Sequence, residues 1–227
     1  MPLSQHCDAI ATDYDGTIAT EGSVDTATIH ALRRAHAAGL RLLLVTGREL
    51  HDLMNIFPDY AVFDRIVAEN GAVLFDPSTA RLRMLGMAPP RALTDRLTAA
   101  RVPFNAGRCI VATTVPHDEV VVTAIRELGL DWHVVFNKDA AMALPSTITK
   151  VSGLGAALEE LQIQWSQTVG IGDAENDIGF VRACGVGVAL ANAVPALKRA
   201  AAMVSAGERG SGVVEVIDRL LSGTARR

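Results

Sequence analysis

The chain has 227 residues, of which 49% are hydrophobic and 20% charged, and this ordinary globular usage excludes wholesale disorder, a collagen-like chain and a disulfide scaffold. Only 4% of the residues are aromatic, and 21 basic residues stand against 25 acidic ones, for a formal net charge of −4. The chain is therefore a poor candidate for stacking the bases of single strands or for binding a polyanion by charge.

Cysteine usage and hydropathy indicate where the protein works. The three cysteines, Cys7, Cys109 and Cys184, are far apart and form no CxxC motif, which favours free thiols in a reducing compartment. No apolar run approaches the roughly 18 residues of a membrane span, and the first residues do not resemble a signal peptide. We expect a cytoplasmic monomer or homodimer that binds neither membrane nor nucleic acid.

Apolar runs alternate with amphipathic stretches along the chain. Strands are predicted at residues 9–12, 40–45, 65–68, 72–75, 82–87, 109–115, 132–136, 141–144, 168–171 and 186–189. Helices are predicted at residues 25–38, 50–57, 90–100, 116–128, 151–161, 174–183, 194–201 and 213–221. Asp25 is a candidate N-cap, Gly39 a helix stop, and Asn70-Gly71 a tight turn between two strands.

The order of these elements predicts the fold class and the domains. Strand and helix alternate over residues 1–77 and 145–227, which predicts an α/β fold with a doubly wound parallel sheet. Residues 78–144 carry more strand per helix, so we expect a small α+β cap domain inserted into the core domain. Its length fits a small domain.

Two acidic motifs follow predicted strands. Asp13 and Asp15 come directly after the strand at 9–12, and Asp173 and Asp177 follow the strand at 168–171. Open α/β sheets bind ligands at the carboxyl ends of their strands, and close carboxylates need a cation or a shared proton. The spacing of Asp173 and Asp177 also predicts one shared helix face. Taken singly, each motif is also compatible with a capped turn or helix start.

Two further segments can supply phosphate ligands. Thr46-Gly47-Arg48 follows the strand at 40–45, where a hydroxyl and free backbone N–H groups can hold a phosphate oxygen. Lys150 precedes a predicted helix and can neutralise a phosphoryl group. Taken alone, the first segment favours a helix N-cap and the second a solvated surface charge. Together, four such segments at one sheet edge favour a phosphate site with a Mg²⁺ ion.

At this point the chain resembles the haloacid dehalogenase (HAD) superfamily. The four segments match its four motifs in order and spacing, with Asn176 inside the last of them. Residues 69–72, which include Asn70, and residues 188–193 resemble the Cof-type branch with a C2 cap, which includes sugar-phosphate phosphatases, sucrose-phosphate phosphatase and archaeal phosphoglycolate phosphatase. Tyr14 and Ala191 depart from the usual residues, and the cap is short for the branch.

The resemblance implies a Mg²⁺-dependent phosphomonoester hydrolase acting through an aspartyl-phosphate on a small-molecule phosphate ester, phosphoglycolate or a sugar phosphate. It implies Asp13 as nucleophile and Asp15 as general acid and base. It implies four phosphate ligands, Thr46, Gly47, Lys150 and Asn176. It implies four metal ligands, Asp13, Asp15, Asp173 and Asp177. Arg48 and Asn70 are implied as substrate-binding or structurally supporting residues.

Four alternatives remain open. A phosphomutase would use the same two aspartates, but its relatives carry a larger cap. A non-catalytic phosphate-binding module would be expected to lack a motif residue. A dehalogenase would lack Asp15, and a receiver-type phospho-acceptor would not need the insert.

Overall fold

The computed structural model describes residues 7–137 and 139–224. Its strands are β1 (Ala9–Thr12), β2 (Ala19–Thr20), β3 (Ser23–Val24), β4 (Arg41–Val45), β5 (Arg65–Ala68), β6 (Val73–Asp76), β7 (Arg81–Met84), β8 (Asn105–Ala106), β9 (Val111–Thr114), β10 (Trp132–Asn137), β11 (Ala140–Pro145), β12 (Thr168–Gly172), β13 (Val186–Ala189) and β14 (Met203–Val204). Its α-helices are α1 (Thr26–Ala37), α2 (Leu50–Ile56), α3 (Arg91–Ala99), α4 (Asp118–Glu127), α5 (Lys150–Leu161), α6 (Ile178–Ala183), α7 (Pro195–Ala200) and α8 (Arg209–Thr224).

The large sheet has the strand order β14-β13-β12-β1-β4-β5-β6-β7. The six strands from β14 to β5 are mutually parallel, whereas β6 and β7 extend the sheet as antiparallel strands. In the centre, Thr12 of β1 pairs with Ile171 on one side and with Leu44 on the other. The predicted α/β class with a doubly wound parallel sheet is confirmed.

Apolar side chains cover both faces of the large sheet. Because β1 and β4 lie in the interior of the sheet, alternate residues point to opposite covered faces, and residues 9–11 and 42–45 are accordingly apolar and buried. Ile10 and Leu42 belong to one buried cluster, together with α1 and α8, while Ala11 and Leu43 belong to the other, together with α5 and α6. This burial fixes where β1 and β4 end, and with them the position of the residues that follow.

Helix α1 begins and ends as its sequence predicts. The Asp25 carboxylate accepts a hydrogen bond from the Thr28 N–H at 2.7 Å, as an N-cap does. Gly39 has φ +92°, the left-handed conformation that ends a helix. The other predicted helices and strands are present with bounds shifted by a few residues, except for the helix at 174–183.

The helix predicted at 174–183 is wrong in its first turn. Ala174 is extended, with φ −116° and ψ 173°, residues Glu175–Asp177 form a 3₁₀ turn, and α6 begins only at Ile178. The physical reason is local, since the Asp177 side chain bonds to the backbone of its own loop. The two-residue strands β2, β3, β8 and β14 are too short to show a period and have no counterpart in the sequence prediction.

A small antiparallel sheet has the order β10-β11-β9-β8. One of its faces packs on α3 and α4 through a third apolar cluster that includes Leu93, Leu97, Val121 and Val111. The sequence boundary at residue 78 falls inside the β6–β7 hairpin, whose second strand belongs to the large sheet.

Across the described ranges, none of the helices has the length and apolar character needed to cross a bilayer.

Candidate active site

The strand order of the large sheet explains why the four polar segments lie close together. Strands β12, β1 and β4 are adjacent and parallel, so the residues after Gly172, Thr12 and Val45 emerge at one edge. Lys150 opens α5, which packs against β4 and β5. The sheet edge therefore gathers the acidic and phosphate-binding segments that the sequence singles out.

Lys150 lies between two carboxylates. Its Nζ donates to Oδ1 of Asp13 and to Oδ1 of Asp177, each at 2.6 Å. Lys150 and Asp13 each expose only 3% of their surface, and Asp177 is fully buried. A buried ammonium with two carboxylate partners is held in a fixed position.

The two partners of this lysine belong to a cluster of three buried carboxylates. Asp13, Asp173 and Asp177 each offer one oxygen, and these oxygens lie within 4.8 Å of one another. The Thr17 hydroxyl donates to Oδ1 of Asp173 at 2.8 Å. Asp13 and Asp177 set two carboxylates against the single ammonium of Lys150, and together with Asp173 they offer the oxygen ligands that Mg²⁺ or Ca²⁺ prefers.

Burial and neighbouring charges shift the pKa values of Asp13 and Lys150. Burial raises the pKa of Asp13 well above its ordinary value, and the neighbouring carboxylates of Asp177 and Asp173 raise it further, although Lys150 opposes the shift. Burial disfavours the charged form of Lys150, yet the carboxylates of Asp13 and Asp177 raise its pKa overall. The lysine is therefore a permanent cation of the site.

Asp177 shapes the loop after β12. Its Oδ2 accepts the backbone N–H groups of Asp173 and Ala174, each at 3.0 Å. The predicted shared helix face of Asp173 and Asp177 is therefore wrong, because the carboxylate folds back over a loop rather than projecting from an α-helix. Gly172 is required beside it, since a Cβ there would lie 2.6 Å from the Asp177 Cβ.

Asp15 stands apart from the buried cluster and is paired with Arg48. Arg48 Nε and Nη2 donate to Oδ2 and Oδ1 of Asp15, each at 2.7 Å. The guanidinium carbon lies 5.6 Å from the centre of the Tyr14 ring, within cation–π range. Tyr14 is itself fixed, because its hydroxyl donates to the Gly22 carbonyl at 2.8 Å.

The Thr46 segment connects to Asn70 and Asn176. Thr46 is fully buried, and its hydroxyl accepts the Arg48 N–H at 3.1 Å. Asn70 donates its backbone N–H to the Thr46 carbonyl at 3.0 Å and accepts the Asn176 amide at 3.2 Å. A Cβ on Gly47 would lie 3.3 Å from the Asn70 amide nitrogen, so the Gly47 backbone lies close against Asn70.

A cavity of about 490 Å³ opens beside Asp15. Its wall includes Asp15, Arg48, Asp173, Asn192 and Arg209. The cavity therefore joins the partly exposed carboxylate of Asp15 to one member of the buried acidic cluster, and it is large enough for a small metabolite.

Three contributors to the site have no role in the sequence prediction. Thr17, two residues after Asp15, donates its hydroxyl to Asp173. Asn192 follows β13 at the same sheet edge, donates to the Gly16 carbonyl at 2.8 Å and accepts the Arg209 N–H at 2.8 Å. Its place after a strand was the available signal. Met142, whose sulfur accepts from the Asn70 amide, carries no sequence signal of this kind.

Comparison with known proteins adds a family and a set of relatives. The profile of the haloacid dehalogenase-like hydrolases matches residues 10–85 and 109–217. The chain is 32% identical to the phosphoglycolate phosphatase of Methanothermobacter thermautotrophicus over 94% of this chain and 98% of that protein. It is 30% identical to the phosphoglycolate phosphatase of Metallosphaera sedula, with the same two coverages.

Solved structures resemble the fold. A haloacid dehalogenase-like hydrolase from Bacteroides thetaiotaomicron superposes with a TM-score of 0.79 at 19% identity, over 94% of this chain and 99% of that chain. A haloacid dehalogenase-like hydrolase from B. subtilis superposes with a TM-score of 0.74 at 21% identity, over 94% of this chain and 99% of that chain. At these identities the likeness bears on the fold alone.

Proposed function

The chain belongs to the haloacid dehalogenase-like hydrolase family, and we propose that it is a Mg²⁺-dependent phosphomonoester hydrolase acting on a small phosphate ester. The observation that carries this proposal is the buried cluster of Asp13, Asp173 and Asp177 at the sheet edge, two of whose members bind Lys150. A buried nucleophile, a fixed cation and an acidic metal-binding set are the parts that phosphoryl transfer needs, since its catalysis is mostly positioning and charge neutralisation.

Asp13 is the proposed nucleophile. Its carboxylate attacks phosphorus, an aspartyl-phosphate forms, and the bond from phosphorus to the ester oxygen breaks. Lys150 holds Oδ1 of Asp13 at 2.6 Å and so restricts the direction in which the carboxylate points. Water then attacks phosphorus, which restores the Asp13 carboxylate and releases inorganic phosphate.

Asp15 is the proposed general acid and base. It gives a proton to the departing alcohol oxygen and later takes one from the attacking water. Support comes from its position at the cavity, where its side chain is about one-third exposed, in contrast to the buried Asp13. Arg48 sets the orientation of this carboxylate through both of its oxygens.

The phosphoryl oxygens are proposed to bind Thr46, Gly47, Lys150 and Asn176. Lys150 supplies the positive charge, and the Thr46 hydroxyl and the Gly47 backbone supply neutral hydrogen bonds. Asn70 supports this set, because it holds the Thr46 carbonyl and the Asn176 amide.

The residues proposed to hold Mg²⁺ are Asp13, Asp15 through its backbone carbonyl, Asp173 and Asp177. The fit rests on an all-oxygen donor set and on three buried carboxylates whose oxygens lie within 4.8 Å of one another. When bound, Mg²⁺ supplies the charge neutralisation that lets an anionic carboxylate approach an anionic phosphate. Thr17 orients Asp173 through its hydroxyl, and Asp177 fixes both Lys150 and the backbone of Asp173.

The predicted division into domains is kept as a proposal with one adjustment. Residues 1–77 and 145–227 form the core domain and residues 78–144 supply a cap, but β7 (Arg81–Met84) extends the large sheet and is assigned to the core. The small sheet then acts as the lid that excludes water from the site.

Phosphoglycolate is the proposed substrate, with sugar phosphates next. Support comes from the relatives named above, which are phosphoglycolate phosphatases, and from a cavity suited to a small ligand.

We further propose a cytoplasmic monomer or homodimer with no nucleic-acid partner. The free thiols of its cysteines support a reducing compartment.

The direct test is release of inorganic phosphate from p-nitrophenyl phosphate with and without Mg²⁺, followed by a panel of phosphate esters. Mg²⁺-dependent release, greatest with phosphoglycolate, is the expected result. Absence of release from every ester would reject the hydrolase, and return of the phosphoryl group to a sugar phosphate would indicate a mutase.

A further inference from the structure

A buried carboxylate outside the proposed mechanism joins the two sheets. Glu69 follows β5 and exposes 1% of its surface. Its Oε1 accepts the Arg108 N–H at 3.1 Å and its Oε2 accepts the Cys109 N–H at 2.8 Å. Both donors belong to the turn between β8 and β9, so a side chain of the large sheet holds the backbone of the small one.

The β8–β9 turn is shaped to receive this carboxylate. A Cβ on Gly107 would lie 2.9 Å from Oε2 of Glu69 and 2.6 Å from Cγ2 of Ile110. The Gly107 N–H closes the turn by donating to the Ile110 carbonyl at 2.9 Å. The Cys109 thiol donates to the Gly86 carbonyl at 3.2 Å, so the turn is anchored on both sides of the carboxylate.

The backbone around Glu69 connects to the phosphate-binding segment. The Glu69 N–H donates to the Arg48 carbonyl at 2.9 Å, and the Asn70 N–H donates to the Thr46 carbonyl at 3.0 Å. Glu69 and Asn70 have φ +51° and +53°, a left-handed pair that non-glycine residues adopt at a cost. In this conformation, the Glu69 side chain bonds to the small sheet while the backbone of Glu69 and Asn70 bonds to the segment Thr46–Arg48.

Asn70 adds a second connection between the same parts. Its amide nitrogen lies 2.9 Å from the sulfur of Met142 in β11, and its amide oxygen accepts from Asn176. On the inner face of the small sheet, Met142 pairs with Val135 of β10, and β10 packs against the segment Glu175–Asp177. A displacement of the small sheet would therefore disturb Asn70 and the phosphate-binding segment.

We propose that Glu69 is a positioning residue that fixes the small sheet relative to the phosphate-binding segment Thr46–Arg48. Glu69 does not touch the substrate. Its carboxylate binds the Arg108 and Cys109 amides of the small sheet, and its backbone N–H binds the Arg48 carbonyl of the phosphate-binding segment. The catalytic part of this inference rests on the proposed function, whereas the structural coupling does not.

The test compares Glu69→Gln with a matched control. An amide keeps the shape of the side chain, but only one of its two ends can accept a hydrogen bond, so one buried N–H loses its partner. Glu160→Gln is the control, because Glu160 is a partly buried carboxylate that binds Arg65 and Arg83 rather than the β8–β9 turn.

Two readouts are taken on the full chain. In hydrogen exchange, Glu69→Gln is expected to increase the exchange rates of the Arg108 and Cys109 amides by about tenfold. It is also expected to increase the exchange rate of the Arg48 amide. The control variant is expected to leave all three rates unchanged. In steady-state kinetics, well below the unfolding temperature of each variant, kcat is expected to fall about 10–100-fold with KM little changed. If Glu69 only stabilised the fold, Glu69→Gln would lower the unfolding temperature without lowering kcat at temperatures where the variant is folded.

Unchanged exchange at Arg108 and Cys109 would show that Glu69 does not anchor the β8–β9 turn. Faster exchange at these two amides, with exchange at Arg48 and kcat both unchanged, would show that the turn is not coupled to the segment Thr46–Arg48. If Glu69→Gln does not fold, Gly107→Ala perturbs the same contact from the other side and is held to the same outcomes. Should the wild type hydrolyse no ester, the proposed function fails, while the exchange at Arg48 still decides the coupling.

Discussion

Arg48 holds both carboxylate oxygens of Asp15, with Nε 2.7 Å from Oδ2 and Nη2 2.7 Å from Oδ1. The planar guanidinium matches the carboxylate in a two-point contact that a single point charge cannot reproduce. Because Asp15 lines the cavity, this pair fixes the orientation of the proposed acid and base at the place where a leaving group would lie.

Arg48→Lys is expected to lower kcat by about 10–100-fold while leaving the unfolding temperature nearly unchanged. The ammonium keeps the charge but loses the two-point contact, and a pair that is one-third exposed contributes little to stability. The matched control is Arg41→Lys, which alters an arginine–aspartate pair at Asp64 away from the site. Equal kcat in Arg48→Lys and the control would show that Arg48 does not orient Asp15.

Asp15→Asn is expected to accumulate the phosphoenzyme. The amide cannot take a proton from water, so hydrolysis of the aspartyl-phosphate slows more than its formation when the substrate has a good leaving group. Intact-protein mass measurement after mixing with p-nitrophenyl phosphate and Mg²⁺ should find one added phosphoryl group. An unmodified protein that still releases phosphate at the wild-type rate would contradict the role of Asp15.

Lys150→Met is expected to destabilise the protein by about 3–5 kcal/mol, because it leaves Asp13 and Asp177 buried without their cation. The measurement is the free energy of unfolding in urea. Lys198→Met serves as the control, since the Lys198 ammonium binds a backbone carbonyl rather than a carboxylate. A loss no larger than that of the control would contradict a paired lysine at the centre of the cluster.

Mg²⁺ is expected to raise the unfolding temperature, and this rise should shrink as the pH is lowered from about 8 to about 5. The sign follows from Asp13, whose pKa is raised by burial and by neighbouring carboxylates. Lower pH protonates Asp13 in the metal-free folded protein, which relieves buried charge and leaves a poorer ligand, so proton and metal compete.

Asp173→Asn should remove most of this Mg²⁺-induced rise, whereas Asp218→Asn, which alters an exposed aspartate paired with Arg34, should leave it intact. A rise that grows as the pH falls, or that survives Asp173→Asn, would contradict the assignment of the acidic cluster to the metal.

The sheet and the acidic edge could be predicted because the signals are local. Asp13 and Asp173 each follow a short aliphatic run, and a parallel sheet brings the ends of such runs together whatever the intervening chain does. Strands of two residues, such as β8 and β14, could not be predicted, because two residues carry no period.

The detailed contacts depend on side-chain reach across the fold. Nothing in the spacing of Asp15 and Arg48 indicates their pairing, which arises because β1 and β4 are neighbours. The first turn of the helix predicted at 174–183 failed because Asp177 satisfies the backbone N–H groups of its own loop, a contact that helix periodicity does not reveal. Glu69 likewise acquires its partners only when the small sheet packs against the large one.

The most direct test of the account is phosphate release from phosphoglycolate by the wild type and by Asp13→Asn, each with Mg²⁺ and with excess chelator. We expect the wild type to release phosphate with Mg²⁺ but not with chelator, and Asp13→Asn, which should remain folded by circular dichroism, to be slower by at least about 10³-fold. Turnover by folded Asp13→Asn near the wild-type rate would contradict Asp13 as the nucleophile, and undiminished turnover in chelator would contradict the metal.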